Sequence, residues 1–426
     1  MHIRRKTFLA MGGASAAATM LAACGGSDSK DDKKSGSSDA GAASDGGGAP
    51  QRADADLVIW ADELKAKALQ EPAKKWGEKN GITVAVQTVA NELQPTFVTA
   101  NQAGNGPDVL LGAHDWIGNL VQNGSINPVQ LPADAKDKVA DIAMKAVTFD
   151  GQTYGVPYAV ECIVLFANKK LTDTPEPTSI EELIKAAKAG GAEVPLSLPI
   201  GEEGDAYHLE PLYTSAGGYL FGSDKDGNAD PKDLGVGKEG SIAAGEKMLE
   251  LGKDGVLKTS ISKDNAISLF TDGKAAYLIS GPWAIADIQK AKIDFAMTAI
   301  PGFEGMKPAQ PFAGVNAFYV AANGKNAAFA DQFVSDVAAS PEIAEQMFAT
   351  NQLPPVNLEL QKKLSGQYPE MVKISQLAEK AAPMPSIPAM AAIWGPLSKA
   401  EAAIIGGADP ASTMKSAGEE IASQIK

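Results

Sequence analysis

Apolar and polar positions between residues 54 and 113 fall into blocks of two kinds. Short, continuous apolar runs predict buried strands, whereas longer segments with apolar residues at helical spacing predict amphipathic helices. The predicted strands cover 56–60, 82–89 and 108–113, and the predicted helices cover 66–81 and 93–103. Strands and helices that alternate over so few residues favour a doubly wound α/β sheet.

The same pattern continues in a second unit that begins near residues 154–171, and the last hundred residues are mostly helical in pattern. With 426 residues, the chain is long enough for two core domains. The predicted helices of this part cover 179–189 and 240–253, and the predicted strands cover 193–200, 275–280, 294–301 and 312–322.

The N-terminal segment lacks this pattern. A basic start from Arg4 to Lys6 and the apolar stretch after it predict a secretory signal over residues 1–23. The signal ends in LAAC, which resembles the lipidation site of bacterial lipoproteins and assigns the lipid to Cys24. The alternative is an ordinary signal with a chance cysteine. The adjacent arginines leave both the Sec and the twin-arginine export routes open.

Residues 24–53 consist largely of Gly, Ser, Ala, Asp and Lys. A segment of this composition cannot bury enough apolar surface to fold, so it predicts a flexible tether. We therefore expect an extracytoplasmic protein that is held to the cell membrane through lipid on Cys24 only.

The net charge of −14 argues against a nucleic-acid partner, which needs a basic protein face. If Cys24 carries lipid, Cys162 is left without a second cysteine for an internal disulfide. We expect Cys162 to behave as a small buried apolar side chain.

Two histidines, His114 and His208, remain after the signal. A catalytic triad needs a histidine between a nucleophile and an acid, and the chain shows no nucleophile-elbow motif. Cysteine and histidine are not clustered at the spacing of zinc ligands, so neither a metal nor a cofactor is predicted. His114, in the stretch GAHDWIG, is interpreted as a structural residue that orients a turn by hydrogen bonding.

The segment 235–240, GVGKEG, has the spacing of a dinucleotide-binding glycine motif. That motif is meaningful only between a strand and a helix. The preceding residues, ADPKDL, do not have the pattern of a strand, so the segment is interpreted as a turn that leads into a helix.

Carboxylates from separate segments stand beside predicted strand ends or turns. A glycosidase needs two carboxylates on either side of the scissile bond, and a sugar-binding cleft uses carboxylates as hydroxyl acceptors. Sequence spacing leaves both interpretations open. The candidates are Asp62, Glu63, Asp115, Glu161 and Asp205.

Three of the five tryptophans, Trp116, Trp283 and Trp394, lie in turn-like contexts. An indole ring offers a broad apolar face that suits the C–H face of a pyranose. The tryptophans and carboxylates together favour an oligosaccharide cleft, and the alternative is that the rings fill the junction between two domains.

Several ordered stretches from about Asp56 to the C-terminus make the chain resemble the maltose/maltodextrin-binding proteins of bacterial ABC importers. The stretches that carry the resemblance are LVIWADE, GPDVLLGAHDWIG, YGVPYAVECIVLFANKKL, AGGYLF, AAYLISGPWAIADI, PFAGVNAF and MPSIPAMAAIW.

The resemblance implies an α/β, two-lobed periplasmic-binding-protein fold of type II with crossing hinge strands. It assigns an N-terminal lobe to 54–159 and 316–365, and a C-terminal lobe to 162–312 and 366–426. Sugar binds between the lobes in this family.

The resemblance also implies where the sugar-binding residues lie. In the family, acidic and basic residues border the cleft on the first lobe, and the position of Glu161 lies by the hinge. An acid, a tyrosine and two tryptophans face the sugar from the second lobe. The implied set is Asp62, Glu63, Lys65, Asp115, Trp116, Glu161, Asp205, Tyr207, Trp283 and Trp394.

The chain departs from the family pattern at several of these positions. A well-known member has tryptophan at the position of Gly112 and arginine at that of Trp116. A carboxylate pair is replaced by Gln94 and Pro95, and an aromatic residue by Gly395. One aromatic platform is lost at position 112, and Trp116 is a candidate replacement.

The resulting hypothesis is a monomeric, non-enzymatic, lipid-anchored protein that captures maltose or maltodextrins and delivers them to the permease subunits of an ABC transporter. One alternative keeps the fold and changes the cargo to trehalose or another oligosaccharide. Another is an extracellular glycoside hydrolase that uses two of the candidate carboxylates.

Overall fold

The structure is a computed structural model that describes residues 49–225 and 229–425. The predicted signal and Cys24, with most of the predicted tether, lie outside these residues. No helix of the described part is long and apolar enough to span a membrane.

The strands and helices alternate through most of the described part. The strands are β1 Leu57–Ala61, β2 Val84–Thr88, β3 Val109–Ala113, β4 Ile126–Asn127, β5 Thr148–Phe149, β6 Gln152–Thr153, β7 Gly155–Cys162, β8 Val164–Asn168, β9 Val194–Ser197, β10 Phe221–Ser223, β11 Ala229–Leu234, β12 Ala275–Ser280, β13 Phe295–Thr298, β14 Phe312–Ala321 and β15 Ala382–Pro383. The helices are α1 Glu63–Asn80, α2 Leu93–Gln102, α3 Ile117–Gln122, α4 Ala133–Lys136, α5 Asp141–Ala146, α6 Ile180–Ala189, α7 Ala206–Ser215, α8 Glu239–Lys253, α9 Ala266–Thr271, α10 Ile285–Lys290, α11 Ala327–Ala339, α12 Glu342–Asn351, α13 Leu358–Ser365, α14 Pro369–Ala378, α15 Trp394–Ile405 and α16 Pro410–Gln424. The 3₁₀ turns are His114–Trp116, Pro282–Ala284 and Pro388–Ala392.

Two sheets divide the molecule into two lobes. The first lobe is built on the path β15-β14-β3-β1-β2, with β4 and β7 also paired to β14. The second lobe is built on β13-β8-β12-β9. The predicted two-lobed α/β architecture is therefore confirmed.

Apolar side chains cover both faces of each sheet. Along β1, Leu57 and Ile59 pack on the α1 side, whereas Val58 and Trp60 pack against Phe97 of α2. Strands that are buried on both faces need continuous apolar runs, and this is why the sequence pattern predicted them. The strands and helices predicted for residues 54–113 are confirmed, with β2 beginning at Val84.

The prediction about the residues before GVGKEG was wrong, because ADPKDL forms strand β11. This strand pairs antiparallel with β10 in an isolated two-stranded hairpin, where a proline and charged side chains are tolerated. A dinucleotide site needs a parallel β-α-β unit, which this hairpin does not provide. A Cβ at Gly240 would lie 2.1 Å from the carbonyl oxygen of Gly217, so the glycine allows close packing of α8.

The chain crosses between the lobes in adjacent segments. Ile163 alone separates β7 from β8, and β14 begins at Phe312 in the core of the second lobe. In α14, Met371 packs in the first lobe and Ile374 in the second. The predicted division at 365/366 falls just before this shared helix.

Asp108 ties together three parts of the first lobe. Its Oδ2 accepts hydrogen bonds from Arg52 Nη2 at 2.7 Å and from the Val58 amide at 2.8 Å. Its Oδ1 accepts from the Asn326 amide at 2.9 Å, and the side chain is fully buried. The chain is thus held to the first lobe from Arg52, within the last residues of the predicted tether.

We expect Asp108→Ala to lower the free energy of unfolding by about 3–5 kcal/mol, because it leaves a buried guanidinium and two amides without their acceptor. Urea unfolding monitored by tryptophan fluorescence measures the loss. The control is Asp294→Ala, which removes an exposed ion pair of similar length, 2.8 Å, to Lys169 and should cost less than about 1 kcal/mol. Equal losses in the two variants would contradict the anchoring role of Asp108.

Candidate functional site

Glu161 lies at the junction of the lobes, near the end of β7. It pairs across the sheet with Gly314 of β14. A Cβ at Gly314 would approach the Glu161 Cγ to 3.0 Å, so the glycine leaves room for the carboxylate side chain. Burial raises the pKa of Glu161, the Lys65 charge opposes this shift, and the Asp62 charge reinforces it.

Asp62 and Lys65 form a compact pair at the start of α1. Asp62 caps the helix by accepting a hydrogen bond from the Lys65 amide at 2.9 Å, and the Lys65 ammonium lies 2.5 Å from the other carboxylate oxygen. Burial lowers the pKa of Lys65, but the charges of Asp62 and Glu161 outweigh burial and raise it. The positive charge of Lys65 is therefore held beside the junction.

Asp115 is buried in the 3₁₀ turn that follows β3. Burial raises its pKa to about 7, the hydrogen bonds from its own amide and the Trp394 indole oppose the shift, and the Glu161 charge adds to it. Because Trp394 begins α15 of the second lobe, Asp115 of the first lobe interacts with a side chain of the other lobe.

A row of aromatic rings lines the second-lobe side of the junction. The rings of Tyr207 and Phe312 are stacked with centroids 6.3 Å apart, and Trp394 meets Phe312 edge-on at 6.0 Å. Trp283 meets His208 edge-on at 6.1 Å. Tyr207 and both tryptophans are half-buried, so part of their surface remains available to a flat apolar ligand face.

Asp205 caps α7 and binds the first turn of that helix with both oxygens. Its Oδ1 accepts from the His208 amide at 3.1 Å, and its Oδ2 lies 2.8 Å from His208 Nδ1. Tyr207 Oη and His208 Nε2 are buried and have no hydrogen-bond partner within the described residues. Burial also raises the pKa of Tyr207 well above its usual value.

Trp116 and Trp283 each lie against a glycine. A Cβ on Gly112 would come within 2.2 Å of Trp116 Cζ3, and a Cβ on Gly281 would come equally close to Trp283. A larger residue at position 112 therefore excludes this placement of Trp116. The two tryptophans follow the central strands β3 and β12 in 3₁₀ turns, so the lobes use the same local arrangement.

His114 has the structural role that the sequence predicted. The Val315 amide donates to His114 Nδ1 at 3.1 Å, and Nε2 donates to the Met384 carbonyl oxygen at 3.2 Å. Burial lowers the pKa of His114 to about 4, so the ring is neutral at pH 7. Both nitrogens are occupied by backbone groups, which leaves none for acid–base chemistry.

The structure brings together most of the predicted site residues. Glu63 does not join them, because it is exposed on the first turn of α1 and no contact in the described part links it to the others. Trp116 packs against the α2 side of the first lobe. Contacts or charge interactions connect Asp62, Lys65, Asp115, Glu161, Asp205, Tyr207, Trp283 and Trp394.

Sequence reasoning missed Phe312 and His208. Phe312 is the first residue of the predicted strand 312–322, and the apolar pattern of that strand indicated only a core residue. An aromatic residue where a strand enters from the other lobe is a signal that could have identified it as a site residue. His208 was weighed for triads and metals, but not as a neighbour of Asp205 and Tyr207. Cys162 is buried, as predicted, and burial raises its pKa to about 12.

The described residues contain no group of three or more His, Cys, Asp or Glu side chains placed to hold a metal ion. The site is thus built from carboxylates, an ammonium, aromatic rings and two unpartnered polar atoms. Such a set binds a polar ligand that also has flat apolar faces.

Comparison with known proteins gives the family. The sequence model of the bacterial extracellular solute-binding proteins matches residues 71–375. The galactooligosaccharide-binding protein of Bacillus subtilis is 30% identical over 388 residues, which cover 87% of this chain and 90% of the relative. The maltodextrin-binding protein MdxE of the same organism is 30% identical over 354 residues, 79% of this chain and 82% of the relative.

A third relative, the maltooligosaccharide ABC transporter solute-binding lipoprotein of Streptococcus pneumoniae, is 27% identical over 352 residues, 80% of this chain and 82% of its own length. The family match spans well over half of the chain, and it agrees with the two-lobed fold and the polar, aromatic junction. The chain belongs to the bacterial extracellular solute-binding protein family.

Proposed function

We propose that this protein captures maltodextrins between its two lobes and delivers them to the permease of an ABC transporter. The observation that carries the proposal is the aromatic row of Tyr207, Phe312 and Trp394 beside the carboxylates Asp115 and Glu161. Pyranose rings have apolar C–H faces and a rim of hydroxyls, which match these two kinds of surface. Two relatives that carry maltodextrin or maltooligosaccharide in their names support the choice of sugar.

Sugar binding favours closure of the lobes only if the sugar contacts both of them. The Asp115 carboxylate comes from the first lobe, and the Trp283 and Trp394 rings come from the second. A ligand that touches all three binds the closed form better than the open one, and this difference shifts the equilibrium. Each hydrogen bond to a hydroxyl contributes about 0.5–1.5 kcal/mol, and more where the acceptor is charged.

A second candidate cargo is another oligosaccharide, with galactooligosaccharides favoured by the relative that is named for them. This chain has glycine at position 112, where a well-known maltodextrin-binding relative has tryptophan, and it has tryptophan at position 116 instead. One aromatic ring is therefore displaced compared with that relative. Such a move changes which sugar ring is stacked and can change the preferred linkage.

Isothermal titration with maltose, maltotriose, a galactooligosaccharide, trehalose and sucrose tests the proposal. We expect maltotriose to bind most tightly and to remain intact. Trp283→Ala and Trp394→Ala should each weaken binding by about two- to tenfold, the worth of a stacking contact. Trp76→Phe is the control, because Trp76 packs on Phe333 in the first-lobe core and should leave affinity unchanged.

Three results would count against this proposal. Absence of binding to every sugar would remove the transport function, and tighter binding of the galactooligosaccharide would select the second cargo. Cleavage of maltotriose at a catalytic rate would assign the protein to the hydrolases.

The raised pKa of Asp115 predicts a pH-dependent stability. A carboxyl whose folded-state pKa is raised to about 7 contributes stability that is complete below its unfolded pKa of about 3.9 and is lost as pH rises through 7. Asp115→Asn should therefore gain on the order of 2 kcal/mol relative to the native protein between pH 5 and pH 8. Urea unfolding of both proteins without sugar measures this, and a pH-independent difference would contradict it.

We propose that lipid on Cys24 anchors the protein outside the cytoplasm, and that it acts as a monomer. The LAAC stretch and the relative named a lipoprotein support the anchor. We expect Cys24→Ser to move the mature protein from the membrane fraction to the soluble fraction, as judged by immunoblotting. Mature protein that stays with the membrane would refute lipid attachment at Cys24.

A further inference from the structure

Two adjacent residues of α7 carry buried polar atoms that the fold does not use. Tyr207 Oη and His208 Nε2 lie out of contact with solvent and find no hydrogen-bond partner in the described residues. Buried polar atoms in folded proteins are nearly always hydrogen-bonded, and one left unpaired carries a desolvation cost. These two atoms lie beside the aromatic row, where a ligand is placed to supply the missing partners.

Asp205 determines what His208 can offer to that ligand. The carboxylate only accepts hydrogen bonds, so the imidazole must place its proton on Nδ1, which lies 2.8 Å from Asp205 Oδ2. Asp205 Oδ1 accepts from the His208 amide, which fixes the carboxylate in turn. In the neutral ring, Nε2 is then left as a hydrogen-bond acceptor.

The surroundings of His208 are those of the proposed sugar cleft. Its ring meets Trp283 edge-on at 6.1 Å and Tyr207 edge-on at 5.3 Å, and it lies near enough to Glu161 that an imidazole charge lowers the pKa of that carboxyl. The ring is therefore held between two aromatic residues of the row, and its side chain is only 11% exposed.

We propose that His208 Nε2 accepts a hydrogen bond from one hydroxyl group of the bound oligosaccharide. Asp205 is then a positioning residue that fixes the imidazole tautomer, in place of the direct sugar contact that the family resemblance implied for it. This inference rests on the proposed function, because the hydroxyl belongs to the sugar held between the lobes.

His114 provides an internal comparison within the same molecule. Its Nδ1 accepts from an amide and its Nε2 donates to a carbonyl oxygen, so His114 and His208 carry their protons on opposite nitrogens. Imidazole ¹⁵N NMR at pH 8 separates the two tautomers, and His208→Gln assigns the signals.

Without sugar, we expect an unprotonated Nε2 in His208 and a protonated Nε2 in His114. Maltotriose should shift only the His208 Nε2 resonance. Asp205→Asn keeps an oxygen to cap α7, but its amide can donate to Nδ1, so it should populate the second tautomer of His208. A protonated Nε2 in the native protein, or an unmoved resonance on saturation with maltotriose, would overturn the proposal.

Two matched variants test the contact by affinity. His208→Asn retains a donor near Nδ1 and nothing at Nε2, whereas His208→Gln retains a polar atom near Nε2. We expect the asparagine variant to bind maltotriose about three- to tenfold more weakly and the glutamine variant to stay within about twofold. Thermal melting of each variant verifies that it is folded.

Monodeoxy analogues of maltotriose identify the hydroxyl. One analogue should bind weakly to the native protein and show no further loss in His208→Asn, since both changes remove the same hydrogen bond. Additive losses for every analogue, or equal affinity of the two variants, would overturn the inference alone. If the native protein binds no sugar of the titration panel, the proposed function and the sugar contact both fail, while the tautomer measurement still tests Asp205.

Discussion

The burial of carboxylates between the lobes is the constraint on which the rest of the structure depends. Asp115 and Glu161 lose hydration where the lobes meet, and burial raises the pKa of each. A charge in such a place is costly unless hydrogen bonds or an opposite charge compensate it. Lys65 and the Trp394 indole provide part of this compensation. Hydroxyl groups of a bound sugar can donate further hydrogen bonds to these carboxylates. The cost of burying the carboxylates in the sugar-free protein thus favours sugar binding.

The fold holds these groups in place with elements that are stable for other reasons. Both sheets are covered on two faces. Asp108 and His114, which flank β3, bind backbone groups of β1, of β14 and of the start of α11. Glu161 and Phe312 stand on the adjacent strands β7 and β14, which cross between the lobes. The junction therefore combines groups from both lobes, and each group is fixed by the secondary structure of its own lobe.

Much of this arrangement could be predicted from the sequence, and the reasons differ between elements. The runs 56–60 and 108–113 are apolar after their leading aspartates because burial on two faces demands it, so the pattern predicted both strands. ADPKDL escaped prediction because an exposed two-stranded hairpin needs no apolar face. Asp205 pairs with His208 because Asp205 caps α7. The spacing of the two residues in the sequence is compatible with such a cap but does not require one. Phe312 was hidden because a strand core and a cleft wall both select aromatic residues.

In the proposed complex, one sugar chain contacts both lobes through the aromatic row and the buried carboxylates. A crystal structure of the protein with maltotriose at pH 8 tests this most directly. We expect glucose rings stacked on Trp283 and Trp394, with hydroxyl groups hydrogen-bonded to Asp115 and Glu161. Maltotriose bound elsewhere, for example in the surface groove lined by Ile184, Lys247 and Phe303, would contradict it.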